Sequence, residues 1–209
     1  MDLYFSRMSG NSARVVFALL ESGARWNPHP IDPGARENRN AEYLAINPMG
    51  KLPALRDGAL TLWESNAINW YVAETHPEAQ LLPQSIAERA TVQRWLFFQA
   101  GHITPASTQI FRVKNARVQA FWNLQDDAHG VAQGERELAR FLPVLEQGLD
   151  GRDWLERDFS LADIAYAPHS MLLQGAGFDF SPYPRIQRWL ERLWARPAWQ
   201  ETLRLLFSD

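Results

Sequence analysis

Residues 47–68, NPMGKLPALRDGALTLWESNAI, constrain this chain more than any other stretch. Asn47, Pro48 and Gly50 are turn-formers, so the backbone reverses here. Two short apolar runs follow, over residues 53–55 and 59–62, separated by Arg56, Asp57 and Gly58. An Asp-Gly pair between such runs signals a β-hairpin. Pro53 can open the first strand, where no interior ladder donor is lost. Glu64, Ser65 and Asn66 then lead into a helical apolar run of Ala67, Ile68, Tyr71 and Val72. Ser65 is thus expected near a helix N-terminus, where free N–H groups and positive potential suit a carboxylate.

Upstream, residues 2–6 read as a strand, 7–11 as a loop, and 12–22 as a helix with Val16, Leu19 and Leu20 on one face. Gly23 is its expected stop. Residues 27–32, with two prolines, suit only an edge strand. After a polar loop over 33–40 comes a short helix over 41–46, and then the opening stretch. The order to residue 76 is β-α-β-α-β-β-α, and Pro-rich residues 77–85 read as a linker. Everything beyond is helical in pattern. One long run covers 86–113, with Pro105 expected to kink or end it. Residues 128–130 read as a loop. Leu138, Phe141, Leu142, Leu145 and Leu149 form a helical face over 132–149, with Pro143 inside it. Ser160 and Asp163 form a capping box before a helix over 164–173, which Phe159 can staple. Further helices follow over 182–195 and after Pro197.

The charge balance of −3 gives no pull toward nucleic acid or an anionic membrane. No segment approaches the ~18 apolar residues of a membrane span. The chain enters its first strand pattern directly, without a basic and apolar leader, so a cytoplasmic location is expected. There is no cysteine, which removes disulfides, thiolate metal sites and catalysis through a protein thiol. No His, Asp or Glu cluster has metal-ligand spacing, and no metal is expected.

The pattern N-P-x-G-K-x-P-x-L, then a hairpin, then E-S-x-A-I resembles the glutathione site of the glutathione transferase family. The segment from Phe159 to Ala165 is similar to that family's C-terminal F-S-x-A-D-I-A motif, so the resemblance covers nearly the whole chain. It implies an α/β plus all-α fold. A thioredoxin-like domain is expected over 1–78, and an all-α domain contributing the electrophile pocket over 86–209. Homodimerisation is the family habit. The lack of cysteine sets this chain apart from glutaredoxins and omega-like transferases.

The resemblance further implies roles for single residues. Ser9, with Arg14 and Val15 at the S-x-x-x-x-R-V spacing, resembles the serine-type theta, zeta and many bacterial members, in which the serine stabilises the glutathione thiolate, with nu-like members, which use a Thr and an Asn, as the further likeness. A free thiol of pKa about 8.5 is only ~3% ionised at pH 7. A hydroxyl donating one charge-assisted hydrogen bond of ~1.5–3 kcal/mol supplies most of the shift needed. Ser12 is a rival for that hydroxyl. Asn11 could also reach the sulfur. Gly10, Asn11 and Ala13 depart from the zeta motif, which argues against maleylacetoacetate isomerisation. Tyr4 reads as a strand side chain. Pro53 is expected in cis, with Leu52 presenting its backbone to the cysteinyl part of an extended tripeptide. Lys51 is expected at the glycine carboxylate, Ser65 at the γ-glutamyl carboxylate and Glu64 at its ammonium. Asn38 or Arg39 is a possible further contact. For the electrophile the expected neighbours are Met8, His102, Thr108 and Arg112.

The expected function is therefore glutathione transfer to a small apolar electrophile, with glutathione as co-substrate. Two rivals stand beside it. One is a non-catalytic ligand-binding module of the same fold. The other is a glutathione-dependent peroxide or disulfide reductase, favoured if Asn11 contacts the sulfur.

Overall fold

In the computed structural model, which describes residues 1–122 and 127–207, the chain divides into two compact units. The first is Met1–Leu82 with Pro197–Asp209, and the second is Pro83–Arg196.

The first unit is built on β1 (Asp2–Phe5), α1 (Gly10–Ser22), β2 (Asn27–Pro30), α2 (Ala41–Ile46), β3 (Ala54–Asp57), β4 (Leu60–Trp63) and α3 (Ser65–Thr75). The sheet order is β2-β1-β3-β4. β1 and β2 are parallel, which requires a crossover, and α1 supplies it. β2 takes the edge, where Pro28 and Pro30 cost no central ladder bond. Alternation sorts the faces. Tyr4 pairs with Ala54 across β1 and β3, and both pack against Tyr43 of α2. Leu3 pairs with Leu55 and points the other way, into a fully buried layer. This is the thioredoxin-like arrangement expected for the N-terminal half.

Three local details differ from expectation. α1 begins at Gly10 rather than residue 12, because Ser9 and not Ser12 is its cap. The hairpin closes on the pair Asp57↔Leu60, so Arg56 and Asp57 belong to β3. The turn itself is Gly58 and Ala59, with Gly58 at φ +58°. The final helix, α11 (Pro197–Phe207), packs on α1 of the first unit, with Phe17 and Trp199 edge to face at 5.3 Å. Sequence order placed it with the helical half.

Among the described residues the second unit holds helices and no strand. It holds α4 (Ile86–Phe98), α5 (Thr104–Lys114), α6 (Ala116–Trp122), α7 (Ala128–Gly148), α8 (Leu161–Ile164), α9 (Ala167–Gly175) and α10 (Pro184–Trp194). The long run expected over 86–113 is interrupted by a π turn, Gln99–Ile103, and Pro105 sits in the first turn of α5. A proline tolerates that position because the first helical N–H groups have no partner anyway. Residues 128–130, read as a loop, are the first turn of α7: Asp127 caps it by accepting the Gly130 N–H at 2.8 Å. Pro143 lies inside α7, as expected.

The capping box at Ser160 and Asp163 has both reciprocal bonds. Asp163 is fully buried and also accepts the Leu155 N–H at 3.0 Å and the Trp189 indole N–H at 2.9 Å. Burial pushes its carboxyl up to about 6, against the pull of those donors. The helix expected over 164–173 breaks at Ala165 and Tyr166, and the next one starts at Ala167 with Pro168 in its first turn.

Candidate functional site

Ser9 closes the loop between β1 and α1. It holds extended backbone (φ −100°, ψ 115°) as N-cap, and its Oγ accepts the Ser12 N–H at 3.3 Å. The hydroxyl's acceptor capacity is thus partly used by the protein, while its single O–H donates to no described residue. The free N–H groups of α1's first turn add positive potential beside it. Met8, just before, sits in the left-handed region (φ +56°) and donates its N–H to the Leu206 carbonyl at 3.2 Å. α11 therefore fixes the loop that presents Ser9. Ser12 is fully buried, and its Oγ accepts the Ser6 N–H at 3.1 Å, a structural task at the end of β1. Asn11 is half-buried in the first turn of α1.

The turn at residues 47–53 is held from below. Asn47 is 2% exposed; its Nδ2 donates to the Lys51 carbonyl at 2.7 Å, and its Oδ1 accepts the Met49 N–H at 3.1 Å. The Tyr43 hydroxyl donates to the same Lys51 carbonyl at 2.5 Å, and burial pushes that phenol's pKa up. Asn38 Nδ2 donates to the Gly50 carbonyl at 2.7 Å, and Arg39 Nη1 to the Met49 carbonyl at 3.2 Å. Both side chains, read as possible ligand contacts, brace this turn. Gly50 has φ +61°, and a Cβ on it would lie 2.8 Å from the Asn38 carbonyl oxygen. With its carbonyl tied down, Lys51 keeps an exposed side chain. The Leu52–Pro53 bond is cis, and Leu52 lies beyond Tyr4↔Ala54, the last β1–β3 pair.

Ser65 opens α3 and is 7% exposed. Glu64 before it is exposed and holds φ +72°, a left-handed conformation rare for a residue with a side chain and typical of binding turns. The Ser65 Oγ accepts from Arg14 Nη1 at 2.7 Å. Asn69 Nδ2 donates to the Arg14 carbonyl at 3.2 Å. Arg14 lies on α1, five residues after Ser9, so one helix carries one hydroxyl and grips the other. In sequence, Arg14 was legible only as a motif letter, and Tyr43 and Asn47 only as helix and turn residues. The signal available was their polarity at positions that bury.

The residues expected near the electrophile divide between the units. Met8 belongs to the first, and His102, Thr108 and Arg112 to the second. The His102 ring lies 4.7 Å from that of Phe141 and 5.4 Å from that of Phe98, at the π turn. Thr108 Oγ1 donates to the Thr104 carbonyl at 2.6 Å, and exposed Arg112 follows four residues later on the same face of α5. Among the described residues no group of three or more His, Asp or Glu could hold a metal ion.

Comparison with known proteins gives this geometry its family. Residues 1–74 match the glutathione S-transferase N-terminal domain, and residues 128–192 match the glutathione S-transferase C-terminal domain. A curated relative, the probable glutathione S-transferase GSTF2 of Oryza sativa subsp. japonica, is 32% identical and aligned over 99% of this chain and 97% of its own. Glutathione transferase F2 of Populus trichocarpa superposes with a TM-score of 0.92 at 26% identity, covering 100% of this chain and 99% of that one. A family member from Pseudomonas fluorescens pf-5, solved with two glutathione bound, has a TM-score of 0.83 at 29% identity over 97% of this chain and 91% of its own. The theta-, zeta- or nu-like bacterial placement is corrected: the curated relatives that the chain matches include plant glutathione S-transferases of Oryza sativa, Silene vulgaris and Zea mays. In this chain S-x-x-x-x-R-V spans only the cap and first turns of α1, a local helix start. The chain belongs to the glutathione S-transferase family.

Proposed function

We propose that this chain binds glutathione along residues 51–65 and uses the Ser9 hydroxyl to hold its sulfur as thiolate for attack on a small apolar electrophile. The observation that carries this reading is the hydroxyl's hydrogen-bond state: Ser9 Oγ accepts from Ser12, and its O–H remains to be donated at the start of α1. Such a donor stabilises an anion and does nothing for the neutral thiol. Lys51 and Ser65 take the two carboxylates, Glu64 the ammonium, and Leu52 the central peptide by short strand-like pairing. Met8, His102, Thr108 and Arg112 are the residues proposed to meet the electrophile. Catalysis needs no metal in this scheme.

Ser9→Ala tests it. Loss of one charge-assisted hydrogen bond of ~1.5–3 kcal/mol should cut kcat roughly 10- to 150-fold and raise the pKa of bound glutathione by about 1–2 units, with little change in glutathione affinity. Conjugation of a chloroarene at the wild-type rate would sink the assignment.

A second reading, glutathione-dependent peroxide or disulfide reduction, draws support from the relative solved with two glutathione bound. With no cysteine in this chain, the second thiol must come from another glutathione. Asn11 is the residue to substitute there: turnover of a peroxide, lost in Asn11→Ala and kept in Ser9→Ala, would favour it. A homodimer is proposed as the working form, on the strength of apolar side chains left exposed in each unit, Met49 (42%) and Trp63 (40%) in one and Phe97 (75%) in the other. A cytoplasmic setting, where glutathione is held reduced, suits either chemistry.

A further inference from the structure

We propose that Arg14 is a positioning residue for the γ-glutamyl carboxylate of the tripeptide, acting through Ser65. The inference rests on the glutathione reading above and adds to it a residue that does not touch the ligand.

Arg14 is 3% exposed, and its guanidinium is permanently charged. Its Nη1 donates to Ser65 Oγ at 2.7 Å. A serine hydroxyl has one proton to give. With a lone pair of Oγ occupied by the guanidinium, that proton is turned away from α1 and toward whatever sits at the mouth of α3. An incoming carboxylate then meets an O–H already aimed, with a positive charge directly behind the oxygen. In a site this shielded from water, such a charge is felt more strongly than at the surface.

A purely structural role, stapling α1 to α3, is the competing account. The fold already has that staple without the guanidinium: Asn69 Nδ2 donates to the backbone carbonyl of Arg14 at 3.2 Å, a bond that any residue at position 14 could accept. One side-chain bond of Arg14, from Nη1, goes to the hydroxyl on α3's first turn that the ligand reading uses.

The test compares two thiols, glutathione and γ-aminobutyryl-cysteinyl-glycine, which is glutathione without its γ-glutamyl carboxylate. Dissociation constants are measured by calorimetry for the wild type, Arg14→Met and Ser65→Ala. Wild type should prefer glutathione by about 100-fold. Arg14→Met should lose most of that preference, roughly 30-fold, by weakening glutathione while leaving the analogue's affinity where it was. Adding Arg14→Met to Ser65→Ala should cost nothing further, because the two act as one unit. Circular dichroism and a melting curve establish that each variant is folded. Should Arg14→Met not fold, Arg14→Gln, which keeps a polar side chain but removes the charge, carries the same measurement. A folded Arg14 variant that discriminates as the wild type does overturns the inference and leaves the glutathione reading standing. A wild type that binds both thiols equally removes the carboxylate subsite itself, and the inference with it.

Discussion

At the scale of single residues, two serines have been given the same hydrogen-bond state by different means. Ser9 accepts from a backbone N–H of its own helix, and Ser65 from a buried guanidinium on a neighbouring one. Each is left with a proton to donate at a helix N-terminus, where an anion is favoured. A backbone donor comes with any N-cap, so Ser9's state can be read from its place before α1. Ser65's partner lies 51 residues away in the chain, and nothing local announces it. Asp163 makes the opposite case: its partners are mostly local, yet its energetics depend on burial. Its carboxyl is raised to about 6 in the native state, so between about pH 4 and 6 the folded protein holds a proton that the unfolded chain has released. This group's contribution to stability is therefore present below that window and is lost as pH rises through it, by about 3 kcal/mol in total for a shift of some two units. Asp163→Asn should be less stable throughout, since one amide oxygen cannot serve the Leu155, Ser160 and Trp189 donors together. The wild type's advantage over Asp163→Asn should narrow between pH 4 and 6 and stay level above, as urea midpoints measured at each pH would register.

Elements packed closely impose demands that periodicity alone does not express. α5 and α7 cross where Gly134 faces α5: a Cβ there would lie 2.5 Å from the Ala106 carbonyl oxygen and 3.0 Å from Ile110. Gly134→Ala gains up to about 1 kcal/mol of helix propensity and loses about 1–3 kcal/mol to overpacking against a backbone that must move. The net expectation is destabilisation of about 1–2 kcal/mol, or several degrees in Tm. Gly101, in the π turn of the same unit, has open space around it. Gly101→Ala should therefore leave Tm unchanged or raise it slightly, and equal melting of the two variants would refute the packing argument. Both glycines lie inside stretches of helical pattern. Only the neighbouring helix distinguishes them. Residues 128–130, which read as a loop in sequence, become a helix's first turn through the Asp127 cap.

The whole molecule is not partitioned as the chain is ordered. α11 follows the helical unit in sequence but packs on α1, and its Leu206 carbonyl holds the Met8 N–H beside Ser9. Truncation after Arg196 should accordingly loosen the first unit. In hydrogen exchange, amides of α1 should lose protection while those of α5 and α7 keep theirs, and thiolate stabilisation by Ser9 should weaken with its loop. Loss of protection confined to the second unit would contradict this assignment.

The sequence by itself determined the local features of the first unit, turn residues 47–50, the hairpin, Ser65 at a helix start and Ser9 before another, because caps, turns and alternation are short-range physics. Tertiary structure decided which polar side chains stay within reach of a ligand. Ser12 was buried completely with its oxygen accepting from Ser6, Asn38 and Arg39 were turned to brace residues 49–50, and Arg14 was delivered to Ser65. A polar side chain's availability is a property of the partners that burial forces upon it, and those partners are set by the fold rather than by nearness in the chain.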